Sequence, residues 1–240
     1  MKTFLTAEWK NLVFANYKVD PDVLRAYLPM GAEIDFYEGD CFVSLVGFMF
    51  LNTAVKGIRY PFHTNFEEFN LRFYVRFPDG DGWKRGVVFV REIVPRRMIT
   101  QVARVLYGER YYYHPMKNSL AVSDKEINVK YEFLYRKKWN HIAVTASSTG
   151  AELQPGSQTE FITEHYWGYT RRGPGLTSEY KVQHPSWKIH GVTSYSIDCD
   201  TLNLYGPDLH RFLINEPDSV FLAAGSAVSV HQRVLHRYNP

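Results

Sequence analysis

Hydrophobic and polar residues alternate along the segment 69–77. Every second position is apolar and the positions between are polar or charged: Phe69, Leu71, Phe73, Val75 and Phe77 against Asn70, Arg72, Tyr74 and Arg76. A period of two indicates a β-strand with one apolar face and one polar face. Glu68 has the parity of the polar face, so the pattern predicts that Glu68 and Arg72 project from the same side.

A second strand pattern covers residues 86–94 and ends in charge. It is apolar up to the pair Arg91 and Glu92, and Pro95, Arg96 and Arg97 follow. Charges at the edge of a buried strand are costly unless they pair or meet a ligand. The two segments therefore predict carboxylates beside guanidinium groups, around a small anionic or carbonyl molecule. A structural explanation has similar weight, because Glu68 could pair with Arg72, and Glu92 with Arg96 or Arg72.

The rest of the chain is also mostly strand-like. Residues 42–50 are nearly all apolar, which is typical of a central strand covered on both faces. Three strand patterns between residues 117 and 147 predict a meander, and residues 220–230 predict a final strand that is broken near Gly225. Short helices are predicted after Asp20, at 98–107 and at 157–164, where Ser157 and Glu160 have the spacing of a capping box. Without an internal repeat or a linker, one domain over residues 1–240 is expected.

Composition narrows the class of protein. Aromatic residues make up 16% of the 240 residues, a share that favours a β-rich core. The net charge of +3 is too small to indicate nucleic acid, and the basic run at 136–138 fits a solvated hairpin tip better. Cys41 and Cys199 are too few for a disulfide scaffold, and the sequence has no apolar run of signal-peptide or membrane-span length. We therefore expect a cytoplasmic protein with no nucleic-acid or membrane partner.

Other kinds of site find little support in the sequence. His165, His184 and His190 could approach one another, but no metal-binding spacing such as HxxxH connects them. Ser226 lacks the glycine context of a nucleophile elbow, and no glycine-rich phosphate loop occurs. No metal and no cofactor is expected.

Several motifs, in order, resemble the YqjF-like proteins, a family of unknown function (domain of unknown function 2071). They are FEEFNLRFYVR, VVFVREIVPRR, ITEHYWGYT, VQHPSWKI and SVFLAAGSAVSV, and together they cover nearly the whole chain. A more remote resemblance is to acetoacetate decarboxylase, carried by YKVDPDVLRAYLP, by the surroundings of Glu68 and by Arg91–Glu92 with Pro95. This resemblance implies a mainly β (α+β) fold. Its curved antiparallel sheet closes into a cone-like barrel with a central cavity, and a few short helices flank it.

The remote resemblance also suggests roles for single residues. In the decarboxylase pattern, Glu68 matches a glutamate beside the substrate, and Lys18 stands where an arginine is usual. Arg96 and Arg97 replace two lysines, one of which forms a Schiff base. A guanidinium stays protonated and cannot form an imine, so Schiff-base decarboxylation is not expected. Arg96, in the position of the nucleophile, is instead predicted to hold a carboxylate.

Two classes of function follow. The first is an enzyme for a small oxo- or hydroxy-carboxylate, a lyase, isomerase or hydratase, in which Glu68 or Glu92 moves a proton while Lys18, Arg72 and Arg96 bind the substrate. The second is a non-catalytic protein that binds a small molecule or serves in assembly, having kept the cavity and lost the chemistry. The remote relative forms large assemblies, so a homo-oligomer is a further expectation from the resemblance.

Overall fold

Strands dominate the computed structural model of the chain, which describes residues 2–238 apart from the side chains of Ala103 and Leu106. The strands are β1 (Thr3–Val19), β2 (Glu33–Ile34), β3 (Cys41–Val55), β4 (Phe66–Asp79), β5 (Gly82–Val94), β6 (Tyr111–Tyr113), β7 (Met116–Val122), β8 (Glu126–Tyr135), β9 (Lys138–Ala151), β10 (Trp167–Gly173), β11 (Leu176–Gln183), β12 (Ile189–Asp198), β13 (Ser219–His231) and β14 (Val234–Arg237). The helices are α1 (Arg97–Leu106), α2 (Gln158–Thr163), α3 (Thr201–Tyr205) and α4 (Pro207–Leu213), with a 3-10 helix at Pro21–Leu24.

Seven of the strands close into a ring. Its order is β1, β3, β4, β5, β10, β11 and β13, and β13 returns to β1. The seam between β11 and β13 is short, with Val182 opposite Val230 and Gln183 opposite Ser229. The strands β12, β9, β8 and β7 continue the sheet outward from β13. The mainly β fold with a curved, closed sheet is thereby confirmed.

Two pairings correct the prediction of an antiparallel sheet. β5 runs parallel to β10 and also to β6, whereas the other pairings are antiparallel. The parallel pairing with β6 is possible because α1 forms a crossover between the two strands, in the manner of a βαβ unit. The sequence signalled the helix but not the direction of the strand after it.

Bends in the long strands allow the ring to close. β1 has a register shift against β3 between Lys10 and Val13, and Asn11 within it has a φ of 53°. On the partner strand β13, Gly225 has a φ of 79°, and a Cβ there would lie 2.0 Å from the carbonyl oxygen of Trp9. A bulge and a glycine therefore meet at one place, where two strands turn a corner together.

Each face of the ring strands packs into a different core. Leu12 and Phe14 of β1 belong to an inner cluster with Phe42 and Phe48, whereas Val13 belongs to an outer cluster. The outer cluster packs against β8, β9 and the helices α3 and α4. The prediction that residues 42–50 form a strand buried on both faces is confirmed.

Local signals were mostly confirmed. Ser157 accepts a hydrogen bond from the Glu160 amide at 3.1 Å, which confirms it as the N-cap of α2. The Glu160 carboxylate accepts from the Gly156 amide at 2.6 Å, one residue before the N-cap amide that a regular capping box would use. The meander appears as β7, β8 and β9. Residues 220–230 are not the final strand, because β14 follows and pairs with β11.

Candidate functional site

A cavity of about 450 Å³ lies inside the ring. Its wall is mainly aromatic and aliphatic, and residues such as Phe48, Phe50, Phe66, Val87 and Trp187 come from four different segments of the chain. The volume is in the range of pockets that hold small organic molecules, about 300–1,000 Å³. A cavity of this kind favours a ligand with a substantial apolar part.

The mouth of the cavity lies between α1 and the segment that connects β3 to β4. Among the described lining residues, the exposed ones are Lys56 and Tyr60 from that segment and Met98 and Val102 from α1. Arg96, directly before α1, connects the two elements by a hydrogen bond, since its Nε donates to the carbonyl oxygen of Phe62 at 2.9 Å. The entrance is therefore built from elements outside the closed ring.

Glu68 lies at the polar end of the cavity, on β4. Its Oε1 accepts a hydrogen bond from the Asn70 side chain at 2.9 Å, and its Oε2 accepts one from the Tyr111 hydroxyl at 2.8 Å. Asn70 lies two residues further along the same strand face, as the alternation requires. Glu68 is only 2% exposed, so these two donors replace its contact with water.

Glu92 and Glu109 complete a cluster of three buried carboxyl groups. Glu92 lies opposite Asn70 across β4 and β5, and its amide donates to the Arg110 carbonyl oxygen at 3.0 Å. Oε1 of Glu109 accepts hydrogen bonds from the hydroxyls of Thr170 and Tyr180, the latter at 2.9 Å. The Oε2 atoms of Glu92 and Glu109 are buried, and no hydrogen-bond partner for them occurs among the described residues.

Burial raises the pKa of all three carboxyl groups above the usual range of glutamate. It raises the pKa of Glu68 to about 7, against the opposing effect of the Asn70 and Tyr111 hydrogen bonds and the charge of Arg72. Burial likewise raises the pKa of Glu109 to about 7. The pKa of Glu92 lies well above its usual range because burial is reinforced by the charges of Glu109 and Glu68. Glu68 and Glu109 can therefore take and release protons near neutral pH, and the acid form of Glu92 is favoured.

Arg72 is the guanidinium group of the cavity lining. It lies over the rings of Phe14 and Tyr74, at 5.0 and 5.7 Å from their centroids. Nη2 donates to the Ile162 carbonyl oxygen at 3.4 Å, while the buried Nε has no partner among the described residues. The Nε–H of this cation is therefore an unpaired donor beside the cavity.

His165 adds a neutral imidazole to the lining. Its Nε2 lies 3.2 Å from Oδ2 of Asp35, which also accepts from Nε of Arg85 at 2.8 Å. Burial lowers the pKa of His165 to about 4, despite the opposing effect of Asp35. Its Nδ1 is buried without a partner in the part of the chain that the structure describes. The ring is thus a neutral hydrogen-bonding group at pH 7.

Residues 6–227 match a family described as an uncharacterized conserved protein, the domain of unknown function 2071. The chain belongs to this family. The uncharacterized protein YqjF of Bacillus subtilis (strain 168) is 26% identical over 217 residues, which are 88% of this chain and 83% of YqjF. The predicted membership of the YqjF-like proteins is confirmed.

Solved structures place this member of the family on the acetoacetate decarboxylase-like fold. Acetoacetate decarboxylase from Legionella pneumophila superimposes with a TM-score of 0.65 at 13% identity, over 98% of this chain and 89% of its own. The enduracididine biosynthesis enzyme MppR, complexed with pyruvate, gives 0.67 at 13% identity, over 98% and 91%. Identities this low concern the fold alone.

In this member of the family, three of the five predicted site residues come together in the cavity: Glu68, Arg72 and Glu92. Lys18 is half-exposed elsewhere and pairs with Asp40 at 2.7 Å and Asp218 at 3.4 Å. Arg96 donates to the carbonyl oxygens of Phe62, Pro95 and Asn65 and does not appear in the cavity lining. Among the described lining residues, Lys56 is the only lysine, and it lies at the mouth.

Glu109, Tyr111 and Tyr180 line the cavity, although no sequence pattern predicted them as site residues. Glu109 and Tyr111 follow α1 in a connection without regular alternation, and the parallel pairing of β6 with β5 brings Tyr111 beside Glu92. The one available signal was an acidic residue between Gly108, which ends the helix, and three consecutive tyrosines.

The described residues contain neither a metal-binding group nor a membrane-spanning helix. Within residues 2–238, no group of three or more His, Cys, Asp or Glu side chains is arranged to hold a metal ion. Of the helices described, none has both the length and the apolar character needed to cross a bilayer.

Proposed function

We propose that the cavity binds a small carbonyl compound and that Glu92, assisted by Glu68, transfers a proton to and from it without a Schiff base. The observation that carries the proposal is the Glu92 carboxyl group, which is buried at the cavity with a raised pKa and a free Oε2. A carboxylate with a raised pKa is a stronger base than an ordinary one, and its acid form can return the proton near neutral pH.

The step that these groups support is removal of a proton from the carbon next to a carbonyl. The C–H bond breaks, its proton moves to Oε2 of ionised Glu92, and its electron pair forms a C=C bond while the carbonyl π electrons move onto oxygen. The free Nε–H of Arg72 can stabilise the enolate oxygen. In a conjugated enolate or an enediol, return of the proton from Glu92 to another carbon gives isomerisation. In a β-hydroxy compound, the enolate re-forms the carbonyl as the β-hydroxyl takes the proton from Glu92 and leaves as water, which gives dehydration.

The residues around Glu92 support the same assignment. Glu68 has both oxygens in hydrogen bonds, so its role is to tune the charge of Glu92 and to hold the Tyr111 hydroxyl. Lys18 and Arg96 are engaged elsewhere, so the proposed site omits them. Two structural neighbours are enzymes by their names, and one contains pyruvate, a carbonyl compound. A binding protein without catalysis is the second candidate, and the lining without an amine at its polar end agrees with it as well.

The test is exchange of α-protons with D₂O, followed by NMR for a panel of methyl ketones and 2-oxo acids. Wild-type protein should exchange the protons of at least one compound, and Glu92→Gln should slow the exchange by about 100-fold or more. Glu67→Gln is the matched control, because Glu67 precedes Glu68 and bonds to Asn118 outside the cavity.

Three outcomes separate the candidates. Equal exchange in wild type and Glu92→Gln would rule out the proposed base. Binding of a compound without exchange would favour the non-catalytic candidate. Reduction with borohydride should trap no adduct, and an adduct on any lysine would contradict chemistry without a Schiff base.

A further inference from the structure

The polar end of the cavity contains more hydrogen-bond acceptors than its neighbours can satisfy. Oε2 of Glu92, Oε2 of Glu109 and Oδ1 of Asn70 are all buried without a partner among the described residues. Their residues are 2%, 4% and 1% exposed and all line the cavity. Buried acceptors are normally satisfied, so three free ones around one cavity indicate a ligand that donates hydrogen bonds.

Charge indicates the kind of donor. Three glutamates face one guanidinium, that of Arg72, at this end, while Lys56 is at the mouth. His165 is neutral there at pH 7. When the carboxyl groups ionise, the cluster has an excess of negative charge in a site of low polarity. A cation would compensate that excess, whereas a carboxylate would add to it.

We propose that Glu109, beside Glu92, forms a subsite for a protonated amine on a ligand whose body is apolar. This proposal rests on the proposed function, because it concerns the same cavity, and it names the substrate class: an apolar carbonyl compound that carries an amino group. The ammonium group donates to the free Oε2 atom of Glu109, and Oε2 of Glu92 remains available as the base. Its apolar body lies against the aromatic wall toward the mouth.

Glu109 is prepared for this role by its own neighbours. The hydroxyls of Thr170 and Tyr180 both donate to Oε1, which fixes the carboxyl group and leaves Oε2 for the ligand. Tyr180 reaches it across Gly168, where a Cβ would lie 2.1 Å from the tyrosine ring. The glycine provides the space that the phenol needs to hold the carboxyl group.

The subsite would distinguish this cavity from that of a relative that takes a simple 2-oxo acid. Pyruvate, the compound complexed with MppR, has a carboxylate and no amine. An arginine at the polar end could hold such a carboxylate, but here it would lie among three carboxyl groups. The sequence-based expectation of a small organic acid is therefore replaced, within this proposal, by an amine.

The test is calorimetric titration of the full chain with hexylamine, hexanol and hexanoate at pH 7, in two buffers of different ionisation enthalpy. Hexylamine should bind at least tenfold more tightly than hexanol or hexanoate. Its binding should release protons, because an ammonium beside Glu109, whose pKa is about 7, lowers that pKa. Glu109→Gln should weaken hexylamine binding at least tenfold and change hexanol binding less than threefold.

Glu67→Gln is the control variant and should bind all three probes as wild type does. Thermal unfolding of Glu109→Gln should show an intact fold. Tightest binding of hexanoate, equal binding of hexylamine and hexanol, or unchanged hexylamine binding in Glu109→Gln would each overturn the subsite. If α-proton exchange occurs but hexylamine fails to bind, the subsite is wrong and the proposed function stands. If hexylamine binds as described but no carbonyl compound exchanges, the proposed function fails and the amine site stands.

Discussion

Glu179 and Glu109 are buried to nearly the same extent, 1% and 4% exposed, but their surroundings differ. Glu179 lies 3.4 Å from Nζ of Lys84 and 3.3 Å from Nε2 of His236, outside the cavity. Glu109 accepts hydrogen bonds from two neutral hydroxyls at the cavity, and its pKa is raised to about 7. Oε2 of Glu179, like that of Glu109, has no hydrogen-bond partner among the described residues, so the neighbouring lysine is the difference. A buried carboxylate beside a lysine belongs to the scaffold, whereas one left without a partner cation is available to a ligand.

The two environments are separated by one peptide bond. Tyr180, which holds Glu109, directly follows Glu179 on β11, and successive side chains of a strand point to opposite faces. The side chain of Glu179 on one face of the strand therefore pairs within the scaffold, and the side chain of Tyr180 on the other face contacts the cavity. The comparison can be tested from both sides of this strand.

Removing the cation from Glu179 should have the largest effect. Lys84→Met should lower the free energy of unfolding by about 3 kcal/mol, because breaking a buried pair leaves a carboxylate without its main partner. Urea denaturation at pH 7 measures this. Lys188→Met is the control: Lys188 is well exposed in its pair with Glu152, and its loss should change stability by less than about 0.5 kcal/mol. An equal change in the free energy of unfolding in the two variants would show that the pair of Lys84 and Glu179 does not stabilise the fold.

Neutralising Glu109 should have the opposite sign. Folding raises the pKa of Glu109, so the wild-type protein loses stability as the pH rises from the unfolded pKa, near 4.5, to about 7. Glu109→Gln should therefore increase the free energy of unfolding at pH 8 by on the order of 2 kcal/mol, with little change at pH 4.5. Denaturation across this pH range measures the difference. A variant that is destabilised at pH 8 would show that Glu109 is a structural group.

Tyr111→Phe should produce a smaller change, confined to the cavity. The Tyr111 hydroxyl stabilises ionised Glu68, so its loss should raise the pKa of Glu68 further, by up to about one unit. NMR titration of ¹³C-labelled glutamate carboxyls measures the pKa. Tyr112→Phe is a matched control, because the ring of Tyr112 lies under Arg91 at 4.0 Å. A downward shift of the Glu68 pKa in Tyr111→Phe would contradict the assigned hydrogen bond.

Lys18→Ala should have the smallest effect. Its pairs with Asp40 and Asp218 are on the surface and screened by solvent, so the free energy of unfolding should change little. Calorimetric titration with hexylamine should give the wild-type affinity. Loss of ligand binding in this variant would restore Lys18 to the site, as the sequence-based prediction had it.

Strand parity explains how much of the site was predictable. The alternation on β4 places Glu68 and Arg72 on one face, and Glu92 ends up across from Asn70, so these residues meet because two antiparallel neighbours share one inner surface. The N-cap of α2 was readable for a similar reason, since its contacts span only three or four residues.

Long-range geometry explains what was missed. Glu109 joins the cluster only because α1 carries the chain back to a parallel pairing, and no short spacing encodes that return. Arg96 lies outside the cavity lining for a related reason. Its guanidinium bonds carbonyl oxygens 31 and 34 residues away, and a motif match cannot reveal such partners.

The position of the mouth has a consequence for kinetics. Under the proposed function, the carboxyl groups set how strongly a ligand is held, and Tyr60, Met98 and Val102 at the mouth set how fast it enters and leaves. Substitutions at these three side chains should alter the association and dissociation rate constants together and leave their ratio nearly constant. The residence time of a ligand would then depend on the residues of the mouth as well, whereas its equilibrium affinity would depend on the carboxyl groups. Residence time could therefore change during evolution without a change in affinity.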